Sequence, residues 1–397
     1  MIIEKIETPI TKESDVLVCG GGFAGISAAL AAARKGKKVI LLEKSFVLGG
    51  LATSGLITIY LPLCDGLGRQ VSFGIAEELF RLSIKMGAED KYPENWLDNI
   101  GTKTENDKRF EVQFNPQLFA ILTEQLLLNE GVEILYGTYA VATDVLNGKI
   151  NAVIIENKSG RQAIKSKTVV DATGDCDIAY FAGAPCDTFK QGNVLAAWYY
   201  AVGKDGYKLN TLGFCDIPDD QKPKDYKENH LINRRFTGLD ADELSQMTQL
   251  SHVSTLNDVI KKRENDNTLF PVTIATTPQV RMTRKIVGEY TLHDTESHKY
   301  FEDSIGLVSD WRKRGPVYEV PFGTLYSKTI KNLIVAGRCT SVTDSMWDIM
   351  RVIPCCAVTG EAAGVAAAIT DDFSKIDVKK LQSILKTNGV ILHENDL

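Results

Sequence analysis

The chain has no Cys-x-x-Cys pair among its eight cysteines, which removes the usual dithiol redox motif and the commonest zinc-ligand spacing. Eight thiols in 397 residues do not make a disulfide scaffold either. There is no basic surplus: 45 Lys and Arg stand against 51 Asp and Glu, a formal net charge of −6, so no positive field is available to draw nucleic acid. There is no apolar h-region, since Met1-Ile2-Ile3 is followed at once by Glu4 and Lys5; the expectation is a cytoplasmic protein without a secretory signal. Repeats and low-complexity segments are absent. One uncharged stretch, Val16 to Ala33, is long enough to cross a bilayer. Four of its residues are glycine, which lowers helicity in its N-terminal half, and alanine and serine fill much of the rest, which lowers hydrophobicity, so no membrane association is expected. What remains is a globular composition, 44% hydrophobic and 24% charged, over a length that suits two or three domains.

The same uncharged stretch carries the strongest signal. Val16-Leu17-Val18-Cys19 reads as a buried parallel strand that ends in Gly20-Gly21-Gly22, with Phe23, Ala24 and Gly25 opening a helix. Gly20, Gly22 and Gly25 have G-x-G-x-x-G spacing: the first permits the tight turn, the second a close approach of backbone to a diphosphate, the third close packing of helix on strand. The diphosphate would sit on the free N–H groups of the helix start. A second strand, Val39 to Leu42, leads to Glu43, 23 positions after Gly20, where a ribose-binding carboxylate belongs. The unit is a βαβ dinucleotide site.

Downstream, Lys44 and the turn Gly49-Gly50-Leu51-Ala52-Thr53-Ser54-Gly55 suggest another close approach to the ligand, with Thr53 and Ser54 as donors. An amphipathic helix is expected from Gly74 to Met86, and a polar excursion, lid or plain loop, over 87–110. Asn115-Pro116 should cap a helix running to Leu128. Three runs, Thr138 to Leu146, Lys149 to Glu156 and Arg161 to Val170, joined by Asn147-Gly148 and Ser159-Gly160, read as an antiparallel meander. The last run ends in Asp171-Ala172-Thr173-Gly174-Asp175, a tight turn at the carboxyl edge of a sheet. Residues 186–325 change character: an aromatic run Trp198-Tyr199-Tyr200, a very polar stretch from Asp216 to Glu243, then mixed strands and arginines. The nucleotide-domain pattern returns at Leu333 to Arg338, and an Ala-rich helix follows from Pro354 to about Ile369. An amphipathic helix and a tail finish the chain.

These motifs together, Gly20 to Gly25, Glu43, Gly49 to Gly55, Asp171 to Asp175, Val335-Ala336-Gly337-Arg338 and Arg351 to Gly364, resemble the FAD-dependent oxidoreductase family of the glutathione-reductase-like flavoprotein superfamily. The likeness extends through Ser304-Ile305-Gly306, Asp310-Trp311-Arg312 and Gly315 to Pro321. It implies an α/β fold: a Rossmann-like FAD-binding domain with an antiparallel meander, in parts 1–185 and 326–397, plus an inserted α+β substrate-side domain over 186–325. It implies non-covalent FAD, with Glu43 on the ribose, Gly20 to Gly25 at the diphosphate, Gly337 and Arg338 near the diphosphate and ribityl, and the helix at Pro354 aimed at the flavin pyrimidine.

The expected reaction is hydride transfer between flavin N5 and a small organic substrate, with an unassigned electron donor or acceptor. No second G-x-G-x-x-G occurs for an NAD(P)H domain. Asp348 and Arg351 are the first candidates for catalysis because they abut the strand-to-helix turn at the cofactor, with Tyr318 and His293 as further proton donors. Arg281, Arg284 and Arg312 could clamp a carboxylate, surface ion pairs being the other fate of such residues. Cys355 and Cys356, at a helix start, are either redox-active thiols or small residues that fit. No metal site is expected. The alternatives are a dehydrogenase using NAD alone and a flavin-carrying subunit of a larger complex.

Overall fold

In the computed structural model, which describes residues 1–88, 111–213, 218, 222 and 230–397, the opening strand outruns its apolar core. β1 (Ile10–Cys19) buries Val16 to Cys19 completely, while its polar first half stays in the sheet because a long neighbour pairs back as far as Ile10. The chain turns into α1 (Phe23–Ala33) and returns as β2 (Val39–Leu42), parallel to β1 with Val16 opposite Val39. β3 (Ile59–Tyr60) and β4 (Val112–Gln113) form a short antiparallel ribbon, with α2 (Ile75–Ser83) between them in sequence. α3 (Pro116–Asn129) starts where Asn115 Oδ1 accepts from Gln117 N and Leu118 N at 3.1 and 3.0 Å. β5 (Glu133–Leu135) adds in parallel to β2. β6 (Tyr139–Leu146), β7 (Lys149–Asn157) and β8 (Gly160–Asp171) pair antiparallel in sequence order, the first turn taking positive φ at both Asn147 and Gly148.

β8 is the long neighbour. One edge pairs with β1 in parallel; the other is divided, its first half held by β7 and its last residues, Val169 to Asp171, by the late strand introduced below. The chain then leaves the sheet through α4 (Asp177–Phe181), β9 (Cys186–Thr188), β10 (Ala197–Gly203), β11 (Gly206–Leu212), α5 (Ala241–Arg263), β12 (Phe270–Ile274) and β13 (Arg284–Ile286). β10 lies between β11 and β12, and β13 pairs with β9. After the hairpin of β14 (Ser304–Ser309) and β15 (Val317–Pro321), β16 (Leu333–Val335) enters the main sheet beside β8, and α6 (Asp344–Met350), α7 (Ile353–Ile369) and α8 (Val378–Thr387) complete the fold. The result is a mixed α/β architecture whose parallel strands β5, β2, β1, β8 and β16 have their carboxyl ends at one edge.

α5 is a correction. Its 23 residues fall in a region read as polar chain, then mixed strands, because it has no apolar stripe: only Met247, Thr255 and Val259 are buried. The excursion expected over 87–110 lies, from residue 89, outside the described residues, as does part of the polar stretch after Asp216. Among the described residues no single helix is long and apolar enough to cross a membrane.

α7 packs across α1 with almost no space between backbones: a Cβ on Gly360 would lie 2.2 Å from Ala24 O, and one on Gly364 2.2 Å from Ala28 O. Between these glycines Glu361 is 1% exposed. Its Oε2 accepts from Ile75 N at 2.7 Å and its Oε1 from Asn388 Nδ2 at 3.2 Å, so one carboxyl holds α2 and the chain end to α7. Burial pushes its pKa up to about 7 from an ordinary 4.5. The folded state therefore keeps a proton that the unfolded chain releases, and this contribution to stability is complete below pH 4.5 and lost as pH rises towards 7. Relative to Glu361→Gln, the wild-type protein should lose about 2–3 kcal/mol of unfolding free energy between pH 4.5 and 7.5, read by denaturant titration at each pH.

Candidate cofactor and active site

The three motif glycines do different work. Gly20 has φ +110°, and a Cβ there would meet Ala172 O at 2.3 Å; a Cβ on Gly25 would lie 1.8 Å from Gly20 O. Both are demanded by the fold. A Cβ on Gly22 would meet nothing within 4 Å, so its absence leaves space on the open side. The first turn of α1 has no side-chain cap and no acidic residue, which leaves the N–H groups of Phe23, Ala24 and Gly25 for an anion. Gly49 N donates to Gly21 O at 2.8 Å and bridges Gly22, bringing the second glycine turn alongside.

Glu43 is 6% exposed and fixes this corner: Oε2 accepts from Gly21 N at 2.8 Å, Oε1 from Ser45 N and Ser45 Oγ, both at 2.7 Å. It lines a cleft of about 770 Å³ with Lys44, Gly49, Gly50 and Leu51. Thr53 does not; its hydroxyl donates to Leu48 O at 2.5 Å and closes the turn from behind. Ser54 does line the cleft, and its buried hydroxyl has no partner, a polar atom left for a ligand to satisfy.

The opposite wall is made by two turns at the carboxyl ends of β8 and β16. Asp171 holds the first by accepting from Thr173 N, Thr173 Oγ1 and Ala179 N at 3.1, 2.6 and 3.0 Å, while burial pushes its pKa up. A Cβ on Gly174 would sit 2.3 Å from Arg338 Nη2, so the guanidinium lies directly on that turn. Arg338 Nη1 also donates to Val280 O and Arg281 O at 2.5 and 3.1 Å. Gly337 N donates to Thr359 Oγ1 at 2.9 Å, and a Cβ there would meet Ala24 Cβ at 2.8 Å. Ala172, Thr173, Gly174, Gly337 and Arg338 all face the cleft, as do Gly20, Gly22, Phe23 and Ala24; Gly25 does not.

At the start of α7, Val352, Ile353 and Cys356 line the cleft and Pro354 does not, so its ring shapes the helix without presenting itself. Burial pushes up the thiols of Cys355 and Cys356, the latter to about 12, and Cys356 Sγ donates to Arg351 O at 3.4 Å. The Arg338 and Arg351 guanidiniums pull the Cys356 thiol the other way without outweighing burial. Arg351 lines the cleft; Asp348 stands behind it with no exposure, accepting from Arg351 Nε at 3.0 Å and Arg312 Nη1 at 3.3 Å. Arg312 is bound in turn to Asp310, Nε to Oδ1 at 3.0 Å. These four buried charges balance.

Tyr318 does not line the cleft: its hydroxyl donates to Asp294 O at 2.8 Å and burial pushes its pKa up. His293 is exposed. Arg284 is committed to Asp177 at 2.7 Å, and only Arg281 of the three candidate arginines lines the cleft, 9% exposed, 5.4 Å over the Trp198 ring, with Nη2 donating to Gln279 Oε1 at 2.9 Å. Thr248, Gln249 and His252 on α5 also face the cleft. They were not anticipated because that helix was not, although Asp240 capping Glu243 N at 2.9 Å, three residues apart, is a readable start signal.

Gly22→Ala should fold as the wild type does yet bind the expected FAD more weakly by roughly 100-fold, since its methyl would occupy the diphosphate position. Gly25→Ala should instead lower the stability of the apoprotein. FAD titration and thermal unfolding of the two apoproteins, side by side, check the contrast.

No curated protein matches the chain in sequence. Among solved structures it is similar to a geranylgeranyl bacteriochlorophyll reductase-like protein of Thermoplasma acidophilum, with 16% identity over 95% of this chain and 84% of that one and a TM-score of 0.47. It is similar also to p-nitrophenol 4-monooxygenase of Pseudomonas putida (12% identity, 95% and 82% covered, TM-score 0.46) and to L-amino acid deaminase of Proteus myxofaciens (14%, 100% and 95%, TM-score 0.46). The family model described as FAD dependent oxidoreductase matches residues 15–197 and 189–385, and the chain accordingly belongs to that family of flavoenzymes, with FAD as its cofactor.

Proposed function

We propose that this enzyme transfers a hydride between flavin N5 and a small organic substrate carrying a carboxylate, with residues 186–325 forming the substrate side of the cleft. The observation that carries the reading is the placement of Arg281 in the same cleft as the nucleotide-binding glycines. A guanidinium fork over an indole, in a largely buried wall, suits bidentate capture of a carboxylate. The wall is anchored: Gln279 Nε2 donates to Gly55 O at 2.5 Å, Thr276 N to Ser54 O at 2.8 Å, and Asn193 Oδ1 accepts from Arg281 N at 2.9 Å. A substrate gripped there is held against the same turns that receive the cofactor.

Bound FAD would supply the two-electron chemistry and, in its reduced form, would carry negative charge on the ring. The uncapped first turn of α7 and the Arg351 guanidinium are the groups of this chain suited to offset such charge. Asp348 acts through Arg351 as a positioning residue, fixing the guanidinium from behind. Tyr318 is left out of the proposed chemistry, since it does not line the cleft and its hydroxyl donates to Asp294 O. The electron partner binds transiently, as the single glycine-rich nucleotide motif suggests. A dehydrogenase using NAD alone is set aside by the FAD family assignment.

Anaerobic mixing of the oxidised holoenzyme with a panel of hydroxy, amino and saturated carboxylic acids, each paired with its amide, should bleach the flavin only with acids. Arg281→Ala should raise the concentration for half-maximal reduction by about 10- to 100-fold while leaving the bound-flavin spectrum unchanged. Equal reduction by acids and amides, unaffected by the substitution, would sink the reading.

A further inference from the structure

The walls of the cleft differ in chemistry. The glycine turns and Arg338 offer backbone N–H groups and charge, and α5 presents Ser245, Gln249 and His252, all exposed. The chain that leaves the Gly49–Gly55 turn offers neither: Ile57, Ile59 and Leu61 line the same cleft, each half-buried. Alternation along an extended chain makes this strip. Thr58 and Tyr60, between them, have no exposure and turn the other way. Thr58 Oγ1 shares a hydrogen bond with Tyr200 OH at 2.9 Å. Tyr60 OH donates to Ala76 O at 2.6 Å, and its ring meets Phe23, Phe80 and Phe114 edge-on. With the even positions anchored in the core, the odd ones have only the cleft left to face.

The strip begins beside the guanidinium. Ile57 packs in one apolar cluster with Leu56, Trp198 and Tyr200, and Trp198 is the ring that lies under Arg281. The bend that aims it is held: Ile57 N donates to Leu51 O at 3.0 Å, and Leu56 takes φ +58°, a left-handed conformation strained for leucine. At the rise of a strand, Ile57 to Leu61 extends about 13 Å away from that end. Leu61 packs against the main core, whereas no apolar cluster among the described residues includes Ile59. A β-branched side chain there is stiff and loses little freedom when a ligand covers it.

Resting on the carboxylate reading of Arg281, the geometry points to an amphipathic substrate: a carboxylic acid whose apolar chain or ring lies along Ile57, Ile59 and Leu61. Arg281 fixes which end of the molecule enters where, and the strip adds affinity in proportion to the apolar area it covers. A cleft that is polar on one wall and apolar on the next suits such a molecule, because each part loses water only against a matching surface. Ile59 is the specificity-determining residue, since it has neither a core to fill nor a polar group to serve.

The probes are straight-chain saturated monocarboxylates from acetate to octanoate and their amides, titrated calorimetrically into holoenzyme whose flavin is held reduced, so that no hydride passes. Each added methylene should tighten the binding of the acids, by about 3- to 4-fold where it is fully buried. Ile59→Ser should weaken octanoate about 10-fold and leave acetate unchanged, while Ile59→Val should stay within about 3-fold for both. The flavin spectrum, FAD affinity and thermal unfolding of the variants should match the wild type. Acids whose affinity does not rise with chain length, or a rise that persists in Ile59→Ser, would overturn the proposal. So would an altered flavin spectrum and weaker FAD binding in Ile59→Ser with the chain-length dependence intact, which would give the strip to the flavin ring. Amides that bind as well as acids and gain equally with length would keep the strip for the substrate's apolar part and sink the carboxylate reading alone.

Discussion

The contact on which the rest of this structure depends is backbone against backbone. α1 and α7 cross at Gly360 and Gly364, where no side chain of any size fits between the helices. Their approach is what brings Ala24, at the start of α1, against Gly337, at the end of β16, and what lets Thr359 of α7 hold Gly337 N. Two uncapped helix starts thus open into one cleft, each offering N–H groups and the positive end of a dipole. A larger residue at either crossing glycine would not merely loosen packing. It would separate the two anion-stabilising ends that a long, doubly charged dinucleotide needs to find together.

Once two positive ends face one cleft, further charge there has to be managed. The chain does so by balance: Arg351 and Arg312 alternate with Asp348 and Asp310 in a buried row, and only Arg351 reaches the cleft. Buried ions of one sign would be costly, whereas alternation lets each carboxylate be satisfied by neighbouring guanidiniums. Arg338 works differently. It lies on Gly174, near Asp175, and donates to the carbonyls of Val280 and Arg281, so a single side chain joins both nucleotide turns to the segment that presents Arg281. The cofactor side and the proposed substrate side are registered to each other through that guanidinium.

Much of this was legible in the sequence because it is written in local chemistry. The glycine spacing at Gly20 to Gly25, the Asn115-Pro116 helix start and the Asn147-Gly148 turn each need special backbone angles or caps that few residues supply, and each sits where those angles occur. α5 was not legible by periodicity, because a helix that covers a cleft on one side and meets solvent on the other has no apolar stripe to show. Its cap was the available signal. Likewise, residue type alone could not tell Arg281 from Arg284 and Arg312, since which guanidinium lines the cleft is decided by how distant chain segments pack. The same limit separated Thr53 from Ser54: adjacent hydroxyls, one turned back to Leu48 O and one left without a partner at the cleft.

The thiols follow the same division between local and long-range causes. Cys355 and Cys356 drew attention because adjacent cysteines at a helix start are visible in sequence, yet burial pushes both thiols up. Cys176 and Cys339 look unrelated along the chain, more than 150 positions apart, and the divided edge of β8 brings them together. β16 must enter beside the last residues of β8 for Cys339 to meet Cys176, and that is the pairing that also sets Gly337 opposite Ala24. The strand register that builds the cofactor cleft on one side therefore also sets Cys339 against Cys176 on the other.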